Sequence, residues 1–218
     1  ISNFYKNNRL FIYDLSTKSS LEIAKDIDEN KSVSGWNKSG LFVGALNKTK
    51  FKLYSINTKT GAAENVPLAL DLPGGIAFSK NSDAIAVSGR SYTGLNEIYS
   101  WRLNQPLKQI TSSSAQIKDW NTPINEVIQW KSKDGAEIEG VLLKPKNYDA
   151  KKKYPLLVVI HGGPTGIDLP EPTPTYVYPI MQWVEKGALV LRVNYRGSAG
   201  YGAKFRALNV RNLGVGDM

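Results

Sequence analysis

Short hydrophobic runs separated by polar turns fill the first 120 positions of the chain. Three runs share the same alternation of aliphatic and aromatic residues, and they occupy positions 10–15, 52–56 and 97–101. Their tyrosines, Tyr13, Tyr54 and Tyr99, are spaced by 41 and 45 positions. Because the runs are short and alternating, they predict strands and not helices. A repeat of about 40 to 45 residues is typical of the four-stranded blade of a β-propeller.

A second marker recurs in phase with the tyrosines. Trp36 precedes a predicted strand at 41–45, and Phe78, 42 positions later, precedes a predicted strand at 84–88. Two markers in phase favour about three propeller blades over residues 1–122. An antiparallel sandwich also has short strands at even spacing and is the alternative. Since propellers typically have about four to eight blades, we expect further blades before Ile1.

The hydrophobic pattern changes after a stretch rich in Ser and Thr around residues 111–123. Beyond it the predicted order of elements is strand, strand, strand, helix, strand, helix, which indicates an α/β domain over residues 123–218. Its first two strands, 126–132 and 137–143, are joined by Asp134-Gly135, a strong hairpin signal. The chain is therefore expected to contain two parts of different fold class.

Two strands and two helices complete the predicted α/β part. They are a strand at Leu156–Ile160, a helix at 179–186, a strand at 188–193 and a helix at 204–213. The first of these strands is apolar at every position, which predicts that helices cover both of its faces. In the first helix, Ile180, Trp183 and Val184 are expected to share one face, with Gly187 as the stop. Gly214 is expected to end the second helix.

Composition and charge exclude several classes of protein. With 41% hydrophobic and 22% charged residues, the chain of 218 residues is expected to be globular, with one or two domains. Its longest aliphatic run has five residues, far below the roughly 20 of a membrane span, so no membrane insertion is predicted. The net charge of +9 is dispersed, and its one tight cluster, Lys151 to Lys153, lacks neighbouring aromatic residues for base stacking. No nucleic-acid partner is predicted.

The sequence does not distinguish a cytoplasmic from a periplasmic location. The chain has no Cys, which excludes disulfides and thiolate metal sites but fits either redox environment. No signal-peptide pattern follows Ile1, although an upstream leader is compatible with a chain that does not begin with Met.

The main chemical signal lies directly after the predicted strand at 156–160, where His161-Gly162-Gly163-Pro164 follows. In open parallel sheets, ligands bind outside the carboxyl ends of the strands. In α/β-hydrolases, an HGGG-type loop after the third strand supplies a backbone N–H to the oxyanion, and this strand is third in the α/β part. Because Pro164 has no N–H, the candidate donors are Gly162 and Gly163. The alternative is a Gly-rich turn that only reverses the chain.

Neither a nucleophile nor a general base is predicted within the chain. His161, the only His, is expected to pack under the loop and to bond a backbone group. Hydrolases of this fold order their triad Ser, Asp or Glu, then His, so a His before the nucleophile is misplaced for a base. No G-x-S-x-G occurs, and at the nearest match Arg196 replaces the first Gly. Ser198 is therefore a poor candidate for the nucleophile.

No cofactor and no metal are predicted. The Gly-rich segment after residue 196 follows a strand and precedes a helix, as a dinucleotide fingerprint does. Counted from Gly200, however, Phe205 stands where the last Gly of G-x-G-x-x-G belongs. Metal-ligand spacing is also absent from the sequence.

Two segments, Tyr154 to Pro164 and Asn194 to Gly202, carry a family resemblance. They resemble the prolyl oligopeptidase family of serine peptidases, nearest to its acylaminoacyl-peptidase and dipeptidyl-aminopeptidase-like branch. The resemblance is specific from about Glu126 onwards and only architectural before it. It implies the fold class: a β-propeller fragment of about three blades over 1–122, followed by the N-terminal part of an α/β-hydrolase domain over 123–218.

The resemblance also implies roles for residues. Gly163 is expected to supply one backbone oxyanion donor, and the residue after the nucleophilic Ser the other. In the prolyl oligopeptidase and dipeptidyl peptidase IV branches, a Tyr at the position of His161 serves the oxyanion hole, and this role is not carried over to His. The Ser, Asp and His triad is expected beyond Met218, so the chain itself is predicted to be inactive.

The implied intact protein is a serine peptidase that cleaves short peptides through an acyl-enzyme, with the propeller limiting access of folded substrates. Two other functions stay open: a non-catalytic propeller scaffold or pseudoenzyme, and an esterase or lipase with the same oxyanion loop. A G-x-S-x-G after Met218, followed by Asp and His, is required by a peptidase or esterase and not by a scaffold. Because an incomplete propeller has open strand edges, self-association of the chain is expected.

Overall fold

The computed structural model describes residues 5–172 and 178–217. Its N-terminal part consists of short strands, which are β1 (Leu10–Asp14), β2 (Ser19–Ile23), β3 (Lys31–Asn37), β4 (Gly40–Asn47), β5 (Lys50–Ile56), β6 (Ala63–Val66), β7 (Leu72–Phe78), β8 (Ile85–Arg90), β9 (Glu97–Trp101) and β10 (Lys108–Gln109). A 3-10 helix at Ser113–Ile117 ends this part. The predicted strands at 10–15, 52–56 and 97–101 correspond to β1, β5 and β9 and are confirmed.

Within the described residues, the N-terminal strands form one two-stranded and two four-stranded sheets. Their orders are β1-β2, β3-β4-β5-β6 and β7-β8-β9-β10, so strands that follow each other in a sheet pair antiparallel. The sequence markers recur at equivalent places. Tyr54 and Tyr99 lie on the third strands of the two larger sheets, and Trp36 and Phe78 lie on the first. The predicted three repeats therefore correspond to two four-stranded sheets and one hairpin.

The sheets stack on both sides of β4. Successive side chains of a strand point to opposite faces, so Leu41 and Val43 pack with Ile23, whereas Phe42 packs in a second cluster. The buried partners of Phe42 in that cluster are Leu53, Ile85, Val87 and Trp101. Phe42 also stacks on Phe78, with ring centroids 4.7 Å apart. Burial of each large apolar side chain contributes about 1.5–3 kcal/mol, so β4 is central to the stability of this part.

The C-terminal part is a mixed sheet with two short helices. Its elements are β11 (Ile124–Lys131), β12 (Glu137–Lys144), β13 (Leu156–Ile160), α1 (Ile180–Glu185), β14 (Leu189–Asn194) and α2 (Gly202–Ala207). The strand order is β11-β12-β14-β13, with β13 and β14 parallel and the other pairs antiparallel. Gly135 has a φ of +84° between β11 and β12, which confirms the predicted hairpin turn. The predicted boundary at 122/123 lies just before β11 and stays a prediction.

Only one face of β13 is covered in the described part of the chain, which corrects the prediction of a strand buried on both faces. Val159 and Leu157 pack with the core below α1. Leu156, Val158 and Ile160 point the other way and are 56%, 47% and 68% exposed. β13 is also the last strand of its sheet. Within the described residues, β13 therefore has one covered face and one open face.

Both helices differ in detail from the prediction. Ile180 and Val184 are buried, but Trp183 is 47% exposed, because at about 100° per residue it lies at the margin of the stripe that the other two define. The second helix ends at Ala207 and irregular turns follow. The N–H groups of Leu208 and Val210 bond carbonyls three residues back, as in turns, and Arg211 has a φ of +58°, so the predicted helix to residue 213 does not form. Neither described helix is long and apolar enough to cross a membrane.

A buried charged junction connects the two parts. The Glu29 carboxylate accepts a hydrogen bond of 2.6 Å from the Gly200 N–H and pairs with the Arg206 guanidinium. Asp28 accepts a hydrogen bond of 3.1 Å from the N–H of Ala203, in the first turn of α2. The side chains of Glu29 and Arg206 are only 4% and 1% exposed. The loop between β2 and β3 is therefore fixed against the start of α2.

Candidate functional site

The predicted oxyanion loop lies at the carboxyl end of β13, beside the carboxyl end of β14. The two strands are parallel, and Ile160 is in register with Val193. His161 and the two glycines after it therefore lie next to Asn194 and Tyr195, which directly follow or end β14. This edge of a parallel strand pair is where ligands of open α/β sheets bind.

Tyr195 contacts His161 through both its ring and its hydroxyl. The Tyr195 and His161 rings stack with centroids 4.5 Å apart and an interplanar angle of 23°. The Tyr195 hydroxyl donates a hydrogen bond of 2.7 Å to the backbone carbonyl of His161. Burial, together with the charges of Asp217 and Asp168, raises the pKa of Tyr195. The hydroxyl is therefore protonated and can act as this donor.

The His161 imidazole lies against the loop, as predicted, and bonds a backbone group. Nδ1 lies 3.1 Å from the carbonyl oxygen of Gly162, and Nε2 lies 3.0 Å from Oγ of Ser198. Oγ of Ser198 is also 2.6 Å from the carbonyl oxygen of Tyr195. Ser198 is fully buried. A buried hydroxyl held by two partners is poorly placed to attack a substrate, in agreement with the expectation from sequence.

The two candidate donors differ in their conformational demands. Gly163 has a φ of +132°, and a Cβ there would lie 2.6 Å from the Gly166 nitrogen. A Cβ on Gly162 would meet nothing within 4 Å. Gly163 is thus required by the backbone of the turn itself, so a turn-forming role and an oxyanion role are compatible at this position.

A second set of contacts holds the segment that follows the glycines. The Asn194 side chain accepts a hydrogen bond of 2.7 Å from the Asp168 N–H and donates one of 2.9 Å to the Asp168 carbonyl. Arg192 donates a hydrogen bond of 2.5 Å to the Asp168 carboxylate. The Ala199 N–H donates one of 3.0 Å to the Gly166 carbonyl. The end of β14 therefore anchors the loop after β13 at several successive points.

Arg196 connects the site to the β11–β12 turn. Its guanidinium is 2.5 Å from the Asp134 carboxylate and donates a hydrogen bond of 3.1 Å to the carbonyl of Gly216. The pKa of Asp134 is lowered, mainly by the hydrogen bond from the Ala136 N–H and secondly by the charge of Arg196.

In the described ranges, 5–172 and 178–217, no three His, Cys, Asp or Glu side chains are grouped to hold a metal ion.

The chain has relatives among curated peptidases, although no family model matches it. It is 34% identical over 111 residues, 50% of its length, to the uncharacterized peptidase YuxL of Bacillus subtilis. It is 24% identical over 201 residues, 90% of its length, to dipeptidyl-peptidase 5 of Porphyromonas gingivalis. The chain spans 16% and 29% of the lengths of these two relatives.

The solved acylaminoacyl peptidase of Pyrococcus horikoshii shares the fold. Its TM-score is 0.76 at 24% identity, over 98% of this chain and 32% of that one. The chain is thus similar to curated peptidases, and its structural neighbours are prolyl oligopeptidase-family peptidases. The structure of Porphyromonas gingivalis dipeptidyl peptidase 4, with a TM-score of 0.75 at 19% identity over 95% of this chain and 30% of that one, has the same fold.

The structure joins residues that were assessed separately in the sequence. It brings His161 and Ser198 into contact, and it adds Asn194 and Tyr195, which sequence reasoning did not single out as functional. A signal was available for Asn194, because a polar residue ends an otherwise largely apolar strand. The contact of Tyr195 with His161 had no local signal, since it depends on β13 and β14 being neighbours.

Proposed function

We propose that this chain supplies the oxyanion loop of a serine-type peptidase that cleaves short peptides through an acyl-enzyme. The observation that carries the proposal is the Gly162-Gly163 segment at the carboxyl end of β13, held from one side by Tyr195 and His161. Preorganised N–H groups of this kind stabilise the oxyanion of the tetrahedral intermediate, typically by about 3–4 kcal/mol per donor. The Gly163 N–H is the preferred donor, and the Gly162 N–H is the second candidate.

The nucleophile, the general base and its carboxylate are proposed to lie outside these 218 residues. Two observations support this. The only His has its ring stacked on Tyr195 and both ring nitrogens in contact with polar atoms. The sequence also contains no G-x-S-x-G, and Ser198 is buried. On this proposal the chain alone is inactive.

The architecture proposed for the whole protein is a β-propeller followed by an α/β-hydrolase domain. The sequential four-stranded antiparallel sheets support the assignment of residues 1–122 to propeller blades. The parallel pair β13–β14 with α1 between them in the chain supports the assignment of residues 123–218 to the hydrolase domain. A propeller beside the site would exclude large folded substrates. The printed names of the relatives, dipeptidyl-peptidase and acylaminoacyl peptidase, support short peptides as substrates.

The first test is labelling with a fluorophosphonate probe, which reacts with activated serine nucleophiles. The protein expressed from the natural reading frame continued past Met218 is compared with the 218-residue chain. Labelling of the long form alone is the expected result. Labelling of neither form would contradict the peptidase proposal and favour a scaffold, whereas labelling of the short form would show that its nucleophile lies within these residues.

The second test removes one donor without adding a side chain. Glycolic acid incorporated at position 163 replaces the backbone N–H by an ester oxygen, and the expected loss in kcat is about 10²–10³-fold. The same replacement at Gly162 measures the other candidate. Gly187 is the matched control, because its N–H donates to Val184 at the end of α1, away from the loop. If the ester at position 163 leaves kcat at the level of this control, Gly163 is not an oxyanion donor.

A further inference from the structure

We infer that Tyr195 and His161 are positioning residues that orient the two candidate oxyanion N–H groups, an inference that rests on the proposed function. A trans peptide group is planar, with its C=O and N–H on opposite sides. The N–H of Gly162 therefore belongs to the same rigid unit as the carbonyl of His161. In the same way, the N–H of Gly163 belongs to the unit that contains the carbonyl of Gly162. Each unit has its carbonyl bonded by one of the two side chains.

Tyr195 holds the first peptide unit. Its hydroxyl donates to the His161 carbonyl at 2.7 Å. The ring that carries this hydroxyl is 8% exposed and stacks on the His161 imidazole, so its position is fixed by packing. Because the carbonyl is restrained, rotation of the 161–162 peptide plane is restrained as well. The Gly162 N–H then points away from Tyr195.

His161 holds the second peptide unit through its own side chain. Nδ1 lies 3.1 Å from the Gly162 carbonyl, which can only accept, so a hydrogen bond at this contact requires a hydrogen on Nδ1. The Ser198 hydroxyl, 3.0 Å from Nε2, has a single hydrogen and donates it to the Tyr195 carbonyl at 2.6 Å. The hydrogen on Nδ1 is therefore assigned from the Gly162 contact alone, and the variants below test this assignment.

The bonds at the carbonyls also strengthen the donors on the opposite side. Hydrogen bonds in a chain polarise one another, so a peptide group that accepts at its C=O donates better at its N–H. Neither side chain needs to touch the substrate for this effect. If the two side chains only stabilised the loop, their substitution would lower the stability of the fold but would not selectively weaken binding of the oxyanion.

The test compares side chains that match different ring nitrogens, in the protein expressed from the natural reading frame. The amide nitrogen of Asn in His161→Asn lies near the position of Nδ1, whereas the longer side chain of His161→Gln places it near Nε2. We expect His161→Asn to stay within about threefold of the wild-type kcat and His161→Gln to lose about tenfold, with KM unchanged in both. Tyr195→Phe keeps the ring and is expected to lose about tenfold in kcat. Tyr13→Phe, on β1, is the control.

A second measurement separates positioning from packing. A peptide aldehyde forms a tetrahedral adduct that carries the oxyanion, whereas a product peptide does not. Tyr195→Phe is expected to weaken aldehyde binding about tenfold and to leave product binding unchanged. Equal weakening of both ligands, or equal kcat for His161→Asn and His161→Gln, would overturn the inference. If the wild-type protein neither hydrolyses peptides nor reacts with the fluorophosphonate, the proposed function fails and this inference falls with it. Normal wild-type reactivity with unaltered variants overturns the inference alone.

Discussion

Replacing Glu29 by Gln is expected to loosen the junction between the two parts of the chain. The Glu29 carboxylate pairs with the Arg206 guanidinium and accepts hydrogen bonds from the backbone N–H groups of Gly200, at 2.6 Å, and of Asn30, at 2.7 Å. Gln is nearly the same size and keeps one carbonyl oxygen, but it removes the negative charge. The guanidinium of Arg206, which also donates a hydrogen bond of 2.7 Å to Asn7, then stays buried without its ion-pair partner.

The magnitude follows from the burial of the pair. Removing one partner of a buried ion pair typically costs about 3–5 kcal/mol, because the other charge stays desolvated. Desolvation already lowers the pKa of Arg206, with the charge of Asp28 acting in the opposite direction. Since Gln can still accept one hydrogen bond, we expect the lower end, about 3 kcal/mol. A loss of about 1.4 kcal/mol is a factor of ten, so protection of the Gly200 amide from exchange should fall by roughly a hundredfold.

Hydrogen exchange measured by mass spectrometry over residues 198–208 tests this expectation in the protein from the natural reading frame. Asp26→Asn is the control, because Asp26 is an exposed carboxylate in the same loop. The double variant Glu29→Gln/Arg206→Met removes both charges and is expected to recover part of the protection. Protection in Glu29→Gln within threefold of the Asp26→Asn control would refute the argument that this ion pair fixes the junction.

Three further predictions concern the stability and assembly of the chain. The Thr111 hydroxyl and two backbone N–H groups lower the pKa of Glu97 to about 2. The ionised carboxylate therefore stabilises the folded state fully above about pH 4.5, and this stabilisation is lost as the pH falls through about 2. In Glu97→Gln, the melting temperature should therefore depend less on pH over that range. Leu143→Ala, at a fully buried position, should cost about 2–5 kcal/mol in chemical unfolding, whereas Leu213→Ala, 56% exposed, should cost little. The 218-residue chain should elute from a size-exclusion column as concentration-dependent oligomers, because β13 has an open edge; a monomer at all concentrations would contradict this.

The strands of the N-terminal part could be predicted because their signal is local. A strand of five to eight residues shows its alternation within itself, and the spacing of Tyr54 and Tyr99 reports the repeat without knowledge of contacts. The exposed face of β13 could not be predicted for the opposite reason. Leu156 and Val158 are as apolar as the residues of a doubly covered strand, and their exposure depends on which elements pack beside them.

The candidate site also has one feature that the sequence predicts and one that it does not. The position of Gly162 and Gly163 at the end of a strand follows from chain connectivity, so the sequence predicted it. The contact between His161 and Ser198 joins residues 37 positions apart, and it exists because β14 lies beside β13 in the sheet. Sheet order is a property of the whole fold, and no short motif in this chain specifies it.

The Gly-rich segment after β14 does not match a dinucleotide fingerprint, and the structure shows what its glycines contact instead. The close neighbour of Gly200 is protein. A Cβ on Gly200 would lie 2.6 Å from the backbone carbonyl of Lys48, and the Lys48 N–H donates a hydrogen bond of 2.6 Å to the Gly200 carbonyl. The N-terminal part thus packs directly on this backbone. Because Asn194 and Tyr195 of the same connection hold the loop with Gly162 and Gly163, one short segment links that loop to the N-terminal sheets.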